Sequence, residues 1–89
     1  AVEDLANAKH NLRAYEATKM ARISALNLAK ANFDRSSKLR ATGAVSQEEL
    51  DTRQNNLEAT KSDLVTIEAQ INAQESGVRR MEKMLKEQG

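Results

Sequence analysis

An apolar side chain returns every seven residues through the second half of this chain: Leu50, Leu57, Leu64, Ile71, Val78 and Leu85. The position three residues after each is mixed, held by Arg53, Thr60, Ile67, Gln74, Met81 and Gln88. An α-helix turns once in about 3.6 residues, so a sustained repeat of seven keeps one narrow stripe facing one partner helix. Six apolar residues in strict register make chance placement a poor explanation. The constraint this sets is severe: the chain folds as long helices in a coiled coil.

The first half follows the same rhythm more loosely. Leu5, Leu12, Leu26 and Phe33 share one heptad position, interrupted by Lys19, and Ala8, Tyr15, Arg22, Ala29 and Ser36 hold the second. Val2, Met20, Ile23 and Leu28 are expected near the seam, widening the apolar face. The alanines between Ala6 and Ala31 would let another helix approach closely, and they equally favour helix for their own sake. Aromatics make up only 2% of the 89 residues and charged residues 30%, which suits helices sharing a thin seam rather than a globular core. So polar a composition also fits disorder, but disorder gives no heptads.

The rhythm breaks once, in "RSSKLRATGAVSQEEL", residues 35–50. Gly43 suits the left-handed position just past a helix C-terminus. Lys38 and Arg40 fall in the preceding turn, where cations oppose the helix dipole. Ser46 suits an N-cap, with Glu49 three residues on completing a capping-box pattern, and Glu48 and Asp51 add negative charge to the new first turn. The expected organisation is helix 1 over about 2–41, a tip loop at about 42–45 and helix 2 over about 46–87.

Folding the chain about Val45 sets Leu5 opposite Leu85, Leu12 opposite Val78, Leu26 opposite Leu64 and Phe33 opposite Leu57. A single straight helix has no need of that mirror, whereas an antiparallel hairpin requires it. The weak layer is Lys19 opposite Ile71, where the lysine stem can cover the isoleucine while the ammonium reaches water. Charge agrees. Residues 1–41 carry eight Lys/Arg and four Asp/Glu, net +4, while residues 46–89 carry six and nine, net −3. The expected fold is therefore all-α, a long two-helix antiparallel coiled-coil hairpin spanning residues 1–89. The chain opens and closes within the helical pattern, so we expect a segment of a larger protein.

Nothing in the sequence assembles a catalytic centre. There is no cysteine, no glycine-rich phosphate loop and no metal-ligand spacing, and the one histidine, His10, lies on a polar stretch and is expected at the surface. We expect no enzyme activity, no catalytic residue, no cofactor and no metal site. The net charge of +1 gives no global field for nucleic acid, and the cations of the first half lack interleaved aromatics for stacking, so no nucleic-acid partner is expected. No apolar run approaches the roughly 18 residues of a membrane span.

The tip carries a more specific signal. In "RSSKLRATGAVS" an arginine, a leucine four residues on and a serine seven beyond that fall at Arg35, Leu39 and Ser46. This resembles the tip signature of membrane fusion proteins, the periplasmic adaptor subunits of bacterial tripartite efflux pumps and type I secretion systems. "AVSQEELD" also looks like the start of that family's second hairpin helix. The family has a hydrophobic residue beside the arginine; Ser36 stands there in this chain. The resemblance covers the hairpin, which in the family is inserted into a lipoyl-like domain of a periplasmic protein anchored to the inner membrane.

The resemblance implies that six adaptors pack their hairpins side by side. Their tips would meet a TolC-like outer-membrane channel and link it to an inner-membrane ABC, RND or major-facilitator transporter. It places partner binding on Arg35, Leu39, Gly43, Ala44, Val45 and Ser46. Arg35 and Leu39 lie one helical turn apart and share a face. Arg35 can donate charge-assisted hydrogen bonds, Leu39 can supply an apolar knob, and Ser46 can cap its helix, meet the partner, or both. Two other functions fit a bare hairpin: a structural spacer, in which the tip residues have no special role, and a basic arm that binds RNA.

Overall fold

The computed structural model describes residues 2–88 and holds two helices, α1 (Val2–Ala41) and α2 (Gln47–Gln88), joined by one turn. The fold is an all-α antiparallel hairpin, with no strand among the described residues. Each helix is charged as its dipole requires. Glu3 and Asp4 open α1, and Lys38 and Arg40 close it. Glu48 and Glu49 open α2, and Lys86 lies in its last turn.

The chain divides into two compact units. The unit formed by residues 21–65 contains the turn. Its core is Leu26, Ala29 and Leu57, with Phe33 and Leu64 packed against it. The cluster thus gathers both residue pairs that mirror pairing about Val45 sets opposite one another in this unit. Ala29 is only 2% exposed. With no side chain beyond Cβ, it can be covered this fully only if the facing helix comes close. Where the repeat puts Arg22 on the seam, the structure leaves Arg22 exposed and half-buries Ile23 instead. The next residue along is apolar and loses no hydration by turning inward.

In the unit formed by residues 2–20 and 66–88, Ala8, Ile67, Ile71 and Val78 are buried, with Leu5, Leu12, Tyr15, Met81 and Leu85 half-buried beside them. The Gln74 side chain donates from Nε2 to the Ala8 carbonyl oxygen at 3.0 Å. The weak heptad is resolved by an ion pair: Lys19 Nζ lies 3.6 Å from Glu68 Oε2 while Ile71 stays buried. The ammonium therefore meets a carboxylate rather than water alone. Lys9 and Glu82 approach to 4.0 Å in the same unit.

Val2, Met20 and Leu28 do not widen the apolar face; all three are well exposed. The cause is rotation about the helix axis. Leu28 follows buried Leu26 by two residues, roughly 200° around a 3.6-residue helix, and Met20 follows Lys19 by one, roughly 100°. A hairpin offers α1 a single partner, so only the narrow seam is covered.

Candidate functional site

The turn is built from local rules at both ends. Gly43 has φ +79°, the left-handed region. The Ala44 N–H donates to the Leu39 carbonyl at 2.9 Å and the Gly43 N–H to the Arg40 carbonyl at 3.0 Å. This pair of bonds is a Schellman motif, which satisfies carbonyls that the end of α1 would otherwise leave open. Thr42 adds to it, its hydroxyl donating to the Leu39 carbonyl at 2.8 Å. Two residues beyond Ala44, the Ser46 Oγ accepts the Glu49 N–H at 3.1 Å, and the Ser46 carbonyl accepts the Leu50 N–H at 3.2 Å. Ser46 is thus the N-cap of α2, which begins at Gln47.

A side-chain chain crosses this turn. Arg40 Nε donates to Gln47 Oε1 at 3.3 Å, and Gln47 Nε2 donates to Asp51 Oδ1 at 2.9 Å. The last turn of α1 is so tied to the first turn of α2. Sequence reasoning assigned Arg40 and Asp51 to their helix dipoles and passed over Gln47; the spacing of Gln47 and Asp51, one turn apart on one face, was the available signal.

The signature residues fall into two sets. Arg35 is exposed, with Nη1 at a long 3.5 Å from Asn32 Oδ1, and Leu39 is 38% exposed. Gly43 and Ala44 are exposed, Val45 is half-buried and Ser46 is engaged in its cap. Ser36 turns the other way and is 5% exposed. It occupies a seam position, so the departure from a hydrophobic residue beside the arginine falls on the inter-helix packing and not on the outward face.

Away from the turn, Asp4, Gly77, Arg80, Met81, Met84, Leu85 and Gln88 line an open groove of about 370 Å³. His10 is exposed. Among the described residues no three His, Cys, Asp or Glu side chains are placed to hold a metal ion. Among the described residues no helix is long and apolar enough to cross a membrane.

The family model described as "RND MFP, alpha-helical hairpin domain" matches residues 11–86, which include the whole turn and all six apolar heptad positions of α2. The chain belongs to this family of membrane fusion protein hairpins. No curated protein and no solved structure matches it significantly. Membrane fusion proteins are the adaptors of tripartite pumps, working with an outer-membrane channel and an inner-membrane transporter. The family is non-enzymatic, periplasmic and in general anchored to the inner membrane. In this membrane fusion protein hairpin the turn presents the cap of Ser46 and the exposed Arg35 and Leu39.

Proposed function

We propose that this hairpin belongs to a periplasmic adaptor, anchored to the inner membrane through the rest of its chain. In this reading the hairpins assemble laterally, six to a ring, and dock tip to tip with a TolC-like outer-membrane channel. The docking surface is Arg35, Leu39, Gly43, Ala44, Val45 and Ser46. The adaptor links that channel to an inner-membrane transporter for efflux or secretion. Of the ABC, RND and major-facilitator classes, the match to an RND-type hairpin family favours RND.

The observation that carries the reading is the coincidence of signature and turn. Arg35 and Leu39 share one exposed face of the last turns of α1, and Ser46 caps the helix that leaves the turn. A long hairpin whose only job is spacing needs the Schellman motif and the cap, but it has no use for an exposed leucine beside an exposed arginine. Burying that leucine against a partner removes apolar area from water, and an arginine brought into a drier interface makes stronger hydrogen bonds to acids and carbonyls.

The test is pump rescue and channel binding by the full-length adaptor carrying Arg35→Ala, Leu39→Ala or Ser46→Ala. Lys61→Ala serves as a control, its ammonium lying 3.6 Å from Glu58 Oε1 one turn away. Tip variants that remain helical yet lose coupling, beside a control that does not, support docking. Full activity in all three makes the tip mere architecture and the hairpin a spacer.

A further inference from the structure

The stretch from Arg35 to Ser46 contains three cations, Arg35, Lys38 and Arg40, and no acid. The structure does not treat the three alike. Arg40 bonds through Nε to Gln47, whose amide is in turn oriented by Asp51, so its guanidinium is held toward the acidic first turn of α2. Lys38 and Arg40 are two residues apart and point to opposite sides of α1. Lys38 is exposed and has no hydrogen bond or ion pair among the described residues. Asp34, one turn before it, is likewise exposed and does not close to ion-pair distance. Arg35 lies three residues before Lys38 and four before Leu39, which places both beside it on one helix surface.

We propose that Arg35 and Lys38 together form a dibasic edge that receives carboxylates of the docked protein partner, with Arg40 withheld from that edge by Gln47 and Asp51. The proposal rests on the tip-docking reading and adds to it the chemistry of the partner and a further contact residue. Arg35 and Lys38 are like charges one turn apart and repel, a cost that the C-terminal end of the helix dipole partly offsets. A partner surface bearing carboxylates removes that cost and gains two charge-assisted contacts beside the apolar knob of Leu39. Gln47 has a positioning role: it keeps the third cation folded back over the turn, which sets the position of the positive edge.

The experiment is binding of the full-length adaptor to its purified outer-membrane channel, at low and high salt, for Arg35→Gln, Lys38→Gln, Lys38→Arg, Arg40→Gln and Leu39→Ala. Circular dichroism checks that each variant is helical. Arg35→Gln and Lys38→Gln are each expected to weaken low-salt binding about fivefold, the difference shrinking as salt rises. Lys38→Arg should bind as the parent does, and Arg40→Gln should stay within about twofold of it. Lys38→Gln binding like the parent while Arg35→Gln does not would overturn the dibasic edge and leave tip docking intact. Arg40→Gln losing as much as Lys38→Gln would overturn the sorting of the cations. If Arg35→Gln and Leu39→Ala both bind like the parent, tip docking itself fails.

Discussion

Gln74 and Ala8 are 66 positions apart in sequence and joined by a 3.0 Å hydrogen bond from side-chain amide to main-chain carbonyl. Gln74 stands at the mixed heptad position, and its directed bond adds to the register of α1 against α2 in the unit that contains it. Replacing Gln74 by Ala is expected to cost about 1 kcal/mol, the net worth of one such bond, seen as a lower urea midpoint at unchanged m-value. Gln74→Leu should recover most of that loss, since it restores apolar contact at a half-buried position.

Gly43→Ala separates conformational strain from steric room. Beyond Gly43 and its two chain neighbours, no heavy atom lies within 4 Å of where a Cβ would stand, yet φ is +79°. The expected loss is about 1–2 kcal/mol, arising wholly from the left-handed backbone. Gly43→Asn, whose side chain tolerates that region, should cost clearly less in the same thermal unfolding experiment.

Ser46 carries two possible duties that one pair of substitutions separates. Ser46→Ala removes the acceptor for the Glu49 N–H and should lower stability by about 1 kcal/mol. Ser46→Asn keeps a neutral acceptor at the cap and should restore that stability. If Ser46→Asn is as stable as the parent but fails in channel binding, the hydroxyl meets the partner; if it binds fully, Ser46 acts through capping alone.

Ala29 marks a position of close helix approach in the unit containing the turn. Enlarging it to Leu forces side chains into a site with no room and should destabilise by about 1–3 kcal/mol. Ala21→Leu, on the exposed side of α1, should change the unfolding midpoint little.

Much of this molecule is legible in its residues because the deciding forces are local or periodic. The seven-residue spacing of Leu50 through Leu85 implies a seam on α2 before any partner is known. Gly43 and Ser46 announce a stop and a restart because cap chemistry involves only residues a few positions apart. The weaker register of α1 was harder to read. Its apolar residues lie all round the helix, and its heptad puts Arg22 on the seam; the spacing from Leu26 is what separates Ile23, three residues before it and on the same face, from Leu28, two residues after it and on the far side.

What the sequence by itself determined is therefore the class of fold, the place of the turn and the shared helix face of Arg35 and Leu39; that this face is exposed came from the structure. The tertiary structure alone decided the rotation of α1 against α2. That rotation buries Ser36, leaves Val2, Met20 and Leu28 in solvent and brings Lys19 to Glu68 and Gln74 to Ala8. It also decided that Arg40 is tied across the turn while Lys38 is not. The physical reason is that periodicity is a property of one helix, whereas burial and pairing are properties of two. A heptad defines a stripe only to within a residue or so, and about 100° of rotation per residue is enough to move a side chain from core to water.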